Sequence, residues 1–324
     1  MTRPHKPGSA TGVFFIVGPT ATGKSEIAAG VAHNLGAEIV SADAFQIYRG
    51  LDLLTAKPAP GTLASAPHHL IGTMSISEEM NAEKFRRLAG QIIAELTARG
   101  KRAIVVGGSG LYIKALTHGL ETMPPADAKL RAELNQMSSD ELRAKLTGLD
   151  PRTARKIDMQ NRRRVIRAIE ICLASGQAAS EQRKQWTAVA GIADPGRPAS
   201  TMPATGVFVF RDRDELYERI NRRVETMFEN GVIEEVRAAG ALSTTASQMI
   251  GLREIRQLLE GKMSIPACVA HIQQATRRYA KRQLTWFRRQ HNFPPLNLSL
   301  LSHDKAVTRI SQLAKAFAVA QGND

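Results

Sequence analysis

Eight consecutive residues, Gly18, Pro19, Thr20, Ala21, Thr22, Gly23, Lys24 and Ser25, follow the pattern G-x-x-x-x-G-K-[ST]. A loop of this kind turns its backbone N–H groups onto a diphosphate or triphosphate, and its glycines let the chain close round the anion. Lys24 then supplies a mobile cation for the phosphate oxygens, and Ser25 a hydroxyl ligand for Mg²⁺. Asp43 offers a carboxylate that suits a general base or a Mg²⁺-linked ligand, and suits a turn cap equally well. Gln46 carries both an amide donor and an acceptor, the pairing that fits an adenine edge, although an ordinary loop glutamine looks the same. His68 and His69 are adjacent, so they cannot both face one metal from a strand, and no His or Cys partner lies near them in sequence.

These residues need a frame that brings them to one place. The apolar run Val13–Val17 reads as a buried strand leading into the loop, and 26–34 as the helix that follows it. A second strand over 38–42 runs into Asp43. In an open parallel sheet, ligands bind beyond the carboxyl ends of the strands, so Asp43 is predicted on the same rim as the phosphate loop. A helix over 81–99 with a stripe of Phe85, Leu88, Ile92 and Leu96 precedes the core strand 103–106. That strand runs into Gly107-Gly108-Ser109-Gly110, which carries the Ser109 hydroxyl to the rim. An ordinary P-loop ATPase has an acid at the end of such a strand to hold Mg²⁺ through water. Glycine stands there instead, which weakens motor, kinase and GTPase readings and leaves Ser25 and Asp43 for the metal.

At 324 residues and 43% hydrophobic content the chain has room for a core domain with an insert. The fold class expected is α/β, a P-loop NTPase-like parallel sheet core (1–123 and 204–324) with a small helical insertion domain (124–203). The insert ends in a loop over 189–206 rich in Ala, Gly and Pro. After it, Val207 to Phe210 resumes the sheet, and Asp212 with Glu215 has the spacing of a capping box. In the helix that follows, Arg222 or Arg223 is placed to reach the phosphate loop, although paired helical arginines are commonly surface. Another helix spans 248–259 and a terminal one 304–320.

Net charge is +14, and the basic residues cluster. Arg152, Arg155, Lys156, Arg162, Arg163, Arg164 and Arg167 fall in one short span with few interleaved acids, a pattern for a phosphate-backbone surface over a solvated face. In 276–289, Ala280, Leu284 and Phe287 form the apolar stripe. Arg277, Lys281 and Arg288 share a second face, and Arg278, Arg282 and Arg289 a third. Cationic rows beside aromatics suit a nucleic acid, while Tyr279 and Trp286 read as core packing. Cys172 and Cys268 fit no disulfide or C-x-x-C framework and read as buried thiols in a reducing cytosol. No apolar run approaches the roughly 18 residues of a membrane span, and residues 1–11 lack a signal core.

The combination resembles the tRNA dimethylallyltransferases, also called tRNA isopentenyltransferases, over nearly the whole length. The motifs that carry the resemblance are GPTATGKS, Asp43 through Gln46 to Tyr48, TAKP at 55–58, VVGGSGLYIKAL, IGLREI and TRRYAKRQLTWFRR. It implies transfer of a dimethylallyl group from its diphosphate to the exocyclic amino group of an adenosine. That adenosine is the one just 3′ of the anticodon in tRNAs reading codons that begin with U. It implies that the loop serves a pyrophosphate leaving group, with Mg²⁺ as cofactor. Asp43 then matches the general base, Thr20 to Ser25 the diphosphate loop, Ser109 the hydroxyl on the bridging oxygen and Arg223 a further phosphate ligand. Asp43, Ala44, Phe45, Gln46, Ser109, Arg131, Gln160, Asn161, Arg162, Arg163 and Arg164 match tRNA contacts. Arg277, Arg278, Lys281, Arg282 and Gln283 match part of a basic helix near the anticodon stem-loop. The partners implied are that stem-loop and dimethylallyl diphosphate, with a cytoplasmic monomer and no membrane. Three departures stand out: Ser109 where the family usually has Thr, Ala44-Phe45 in place of a small polar pair, and Leu252 where an aromatic is common.

Three rivals share parts of this pattern. An adenylate isopentenyltransferase would prenylate a free nucleotide and have little use for the Arg-rich insert. A small-molecule P-loop kinase would turn over ATP with a set of lid arginines. A non-catalytic RNA-binding protein would keep the loop for structure.

Overall fold

The computed structural model describes residues 12–120, 124, 127–182 and 205–320. The predicted loop at 189–206 therefore lies, as far as residue 204, outside the described residues. Two compact units emerge: Met1–His118 with Thr201–Asp324, and Gly119–Ser200.

The first unit is built on a parallel sheet. Its strands are β1 (Val13–Val17), β2 (Glu38–Ser41), β3 (His68–His69), β4 (Ala103–Gly107), β5 (Thr205–Phe210) and β6 (Pro295–Asn297), in the spatial order β3-β2-β4-β1-β5-β6. Central strand β1 lies between β4 and β5, with Val17 opposite Gly107 on one side and Phe208 on the other. Its sequence, VFFIV, is apolar on both faces because both faces are covered. Phe15 and Val17 join the core on one side with Val40, Val105 and Phe85. Phe14 and Ile16 join the other with Ile39, Ile104, Val207 and Val209. That alternation is the two-residue period of a strand.

The helices packed on this sheet follow their start and stop signals. Helix α1 (Lys24–Leu35) opens after Gly23 and closes at Gly36, both in the left-handed region. Helix α2 is Pro60–Ala64. Helix α3 (Ala82–Ala98) is capped by Asn81, whose side chain accepts from the Lys84 N–H at 2.8 Å. Helix α4 (Gly110–His118) springs directly from the glycine-rich turn after β4.

In the second unit, α5 (Ala128–Gln136), α6 (Ser139–Leu149), α7 (Pro151–Lys156), α8 (Arg162–Ser175) and α9 (Ala179–Gln182) enclose Leu134, Leu142, Leu146, Val165, Ile166 and Ile169. Asp150 ties the far end of this bundle together. It accepts from the Thr153 N–H at 2.9 Å, the Ser180 N–H at 2.7 Å and the Ser180 hydroxyl at 2.9 Å. Burial opposes its charge, but the Thr153 and Ser180 hydrogen bonds outweigh burial and hold the carboxyl at about 2.

The chain returns to the first unit through β5, followed by α10 (Arg213–Glu229), α11 (Val232–Ala238), α12 (Leu252–Leu259), α13 (Ile265–Phe287) and α14 (His303–Ala320). The capping box expected from Asp212 and Glu215 does not form. Asp212 precedes α10 without a side-chain cap bond and instead accepts from the Asn297 amide at 2.9 Å. Glu215 is drawn to Arg211 at 2.6 Å. A charged partner one turn away outcompetes a backbone N–H that water can satisfy.

Candidate active site

The loop between β1 and α1 is held from outside by arginines. Arg211 Nε donates to the Thr22 carbonyl at 2.8 Å and Arg219 Nε to the Ala21 carbonyl at 2.9 Å. Ala21 sits at φ 64°, a left-handed conformation that a non-glycine residue adopts only when its surroundings impose it. The buried Thr22 hydroxyl closes the turn on the Pro19 carbonyl at 3.0 Å. With its carbonyls turned to these donors, the loop keeps the orphan N–H groups of the first turn of α1 for an anion.

Two cations face that anion position. Lys24 Nζ rests 3.2 Å from the Pro19 carbonyl, and burial pulls its ammonium down to about 8. Asp43 and Glu26 oppose that shift, and Arg223 adds to it. Arg223 comes from α10, where Arg222 is exposed; the Arg223 Nε–H is buried with no acceptor among the described residues. Burial, the largest cause, lowers its pKa as well, and Asp43 and Glu26 counter it. An enclosed guanidinium with an unused donor matches a phosphate oxygen. Sequence reasoning found Arg223 but missed Arg211 and Arg219. The signal was present: Arg211, Glu215, Arg219 and Arg223 recur every four residues, the spacing of one helix face.

Lys24 has a measurable consequence. In the anion-free protein its ammonium loses its proton above about pH 8, and an incoming diphosphate must restore it. Pyrophosphate affinity should therefore fall about tenfold per pH unit above that point. Calorimetry between pH 7 and about 9.5 checks this against Lys24→Arg, whose charge persists. Equal slopes in the two proteins would assign the pH dependence to pyrophosphate itself.

Asp43 follows β2, and one carboxylate oxygen does what a capping residue does. Its Oδ1 accepts from the Phe45 N–H at 2.9 Å and the Gln46 N–H at 3.3 Å. No hydrogen bond among the described residues involves Oδ2, so the two readings of this residue are compatible. Capping fixes the carboxylate plane and leaves one oxygen for chemistry. The adjoining Ala44 N–H donates to Ser109 Oγ at 3.1 Å, which joins the end of β2 to the turn after β4. The Tyr279 hydroxyl lies beside Ser109. Burial, and then the Asp43 charge, push Tyr279 up to about 12, so its phenol stays neutral. Tyr279 was expected in the core and is largely enclosed, with its hydroxyl next to this network.

Gln46 donates its amide to the Ala56 carbonyl at 2.8 Å. Lys57, from the TAKP stretch, holds the same loop by donating to the Tyr48 and Gly50 carbonyls at 2.5 and 3.1 Å and pairing with Asp52. Ala44 and Phe45 pack against the core rather than reaching outward. Lys24, Ser25, Ser41, Asp43, Gln46 and His68 line one narrow pocket. No group of three or more His, Cys, Asp or Glu among the described residues could hold a metal unaided. The donors present, the Ser25 hydroxyl and the Asp43 carboxylate, fit a hard cation that takes the rest of its oxygens from a diphosphate and water.

The basic helix α13 divides its residues. Arg278, Lys281 and Arg282 are exposed, with Arg282 lying over the Tyr279 ring at 5.6 Å. Arg277 is held by Asn221 at 2.5 Å and lies 5.9 Å from the Tyr217 ring. Gln283 is buried and turned inward. Trp286 covers Gly110 so closely that a Cβ there would fall 2.7 Å from the indole.

In the second unit, Arg163 and Arg164 are exposed at the start of α8. Arg152, Arg155 and Lys156 are exposed on α7 as well, whereas Asn161, Gln160, Arg162 and Arg131 make contacts within that unit. Asn161 caps α8 by accepting from the Arg164 N–H at 3.2 Å, and Gln160 accepts from Arg143 at 2.7 Å. Arg162 donates to the Asn135 and Met137 carbonyls at 2.9 and 2.5 Å, closing the end of α5. Arg131 makes a bidentate pair with the buried Glu170, both bonds at 2.6 Å.

Residues 46–290 match the IPP transferase family. The chain is 42% identical over 277 residues to a tRNA dimethylallyltransferase of Akkermansia muciniphila, covering 86% of this chain and 90% of that one. It superposes on the full-length tRNA isopentenylpyrophosphate transferase of Bacillus halodurans with a TM-score of 0.69, 32% identity and coverage of 97% and 99%. A eukaryotic dimethylallyltransferase shares the fold at a TM-score of 0.77 and 24% identity, over 96% of this chain and 80% of that one. The family match spans most of the sequence and takes in the α13 helix, and the relatives cover most of the chain; the chain belongs to the IPP transferase family.

Proposed function

We propose that this chain transfers a dimethylallyl group from dimethylallyl diphosphate to the exocyclic amino group of the adenosine 3′-adjacent to the anticodon in tRNAs reading codons that begin with U. The observation that carries this reading is Arg223 beside a diphosphate loop, its buried Nε–H without an acceptor among the described residues, with the anchored Asp43 carboxylate on the same rim. The relatives named tRNA dimethylallyltransferase favour a tRNA acceptor over a free nucleotide.

The diphosphate binds the loop 18–25, with Lys24 and Arg223 on its oxygens. These cations neutralise charge as the allylic C–O bond breaks, so most of the acceleration is electrostatic and positional. Ser109, already accepting from Ala44 N–H, turns its hydroxyl toward the bridging oxygen. Asp43 Oδ2 accepts the proton that the adenine amino group loses as its nitrogen attacks. Mg²⁺, when bound, would be held by Ser25 and diphosphate oxygens and would supply further charge neutralisation. The base leaves its stack to reach the donor. Arg163, Arg164, Arg278, Lys281 and Arg282 contact the tRNA backbone. The enzyme acts as a cytoplasmic monomer.

Labelled dimethylallyl diphosphate with Mg²⁺, offered unmodified tRNA against AMP and ATP, tests the reading. Label should enter tRNA alone. Label in AMP or ATP would make the chain an adenylate isopentenyltransferase, and label in none would return it to the kinase or RNA-binding readings.

A further inference from the structure

Among the described residues, helix α13 hydrogen-bonds the diphosphate loop through one side chain. Gln283 Oε1 accepts from the Thr20 N–H at 2.9 Å, and its Nε2 donates to the Gly108 carbonyl at 2.8 Å. Those two backbone groups belong to different turns, one after β1 and the other after β4. One turn presents a donor and the other an acceptor. A carboxamide answers both at once, a carboxylate offers acceptors alone and an ammonium donors alone. Asparagine carries the same group but is one methylene shorter.

The turn after β4 is shaped around this amide. A Cβ at Gly108 would fall 2.3 Å from Gln283 Nε2 and 2.8 Å from the Gly18 carbonyl oxygen, so a side chain there and the amide exclude each other. Neighbouring residues of α13 press on the same two turns. Ala280 packs in a cluster with Leu216 and Ile220 that touches Ala21 at the loop tip. Tyr279 meets Ser109, and Trp286 covers Gly110. Residues 279, 283 and 286 share one helix face at the i, i+4, i+7 spacing.

We infer that Gln283 is a positioning residue for the leaving-group site: it fixes the turns after β1 and β4 in register so that the diphosphate loop is preformed, and it does not read tRNA. This rests on the proposed prenyl transfer and departs from the tRNA contact that its motif suggested. Arg211 and Arg219 hold the outer carbonyls of the loop, and Gln283 holds its entry. The Thr20 N–H is spent on the amide and stays out of anion binding.

Pyrophosphate binding by calorimetry tests this on the full chain, with Gln283→Met and Gln283→Glu beside the wild type. The dissociation constant for unmodified tRNA and the KM for dimethylallyl diphosphate are measured in parallel. Gln283→Met should weaken pyrophosphate about tenfold or more, raise that KM alike and leave tRNA affinity within about twofold. Gln283→Glu should weaken pyrophosphate further at neutral pH. Its affinity relative to wild type should recover as pH falls, because a protonated carboxyl again offers one donor and one acceptor. A folded Gln283→Met that binds pyrophosphate within about twofold of wild type, or loses tRNA affinity instead, overturns the inference. If that variant fails to fold, a Gln283→Glu ratio that stays flat with pH overturns it. Wild-type protein that neither binds pyrophosphate nor transfers the prenyl group counts against the proposed function rather than against Gln283.

Discussion

Asp43→Asn should lower prenyl transfer by about 10³-fold while leaving pyrophosphate and tRNA binding within a few-fold of wild type. The asymmetry follows from how the carboxylate is used. Oδ1 caps the turn by accepting from the Phe45 and Gln46 N–H groups, and an asparagine carbonyl oxygen does the same. Only the proton acceptor at the second position is lost. Single-turnover transfer with saturating tRNA, set beside equilibrium binding of each substrate, separates the two effects. Retained transfer at more than about a tenth of wild-type rate would remove the general-base role. Parallel loss of tRNA affinity would make Asp43 a binding residue. Asp43→Ala should do more, because it also releases the turn that presents Gln46.

Arg223→Met carries the second large effect, and its sign on stability is opposite to its sign on function. A buried cation without a hydrogen-bond acceptor for its Nε is a cost to the ligand-free fold. Replacing it with an apolar chain of similar length should leave the melting temperature of the free protein unchanged or raised. Pyrophosphate affinity should drop by roughly 10²–10³-fold, because a charge-assisted contact in an enclosed site is lost. The rise in melting temperature on adding pyrophosphate should accordingly vanish. A thermal scan with and without pyrophosphate reads both quantities at once. A ligand shift as large as wild type would show that Arg223 is a structural cation.

The phosphate loop and the strand and helix that flank it were legible because their signals are local. A glycine pattern, an apolar run of five and a helix start sit side by side in sequence. Asp43 was legible as a rim residue for the same reason. What the sequence could not convey is which surface each helix face meets. Periodicity placed Tyr279 and Gln283 on α13 but did not say that their face lies against Ser109, Gly108 and Thr20. Nor could it convey which basic side chains have partners within the fold. Charge density marks a polyanion surface only for side chains that remain outside, and Arg131, Arg162 and Arg277 are tied to Glu170, the Asn135 and Met137 carbonyls and Asn221. The missing capping box at Asp212 has a related origin, since Arg211 stands just outside the four residues in which that motif is read and Asn297 lies 85 residues away.

The order in which the chain leaves the ribosome has its own consequence. The diphosphate loop at 18–25 is made well before the residues that hold it. Its clamps, Arg211, Arg219 and Gln283, all follow residue 204, as does β5, the neighbour that covers one edge of β1. Until then β1 presents an apolar strand with one side unpaired, the kind of edge that invites wrong partners. Nascent chains stalled before residue 205 should therefore neither hold pyrophosphate nor resist association, whereas Gly119–Ser200 can bury Leu134, Leu142, Leu146 and Ile169 among its own helices as soon as they emerge.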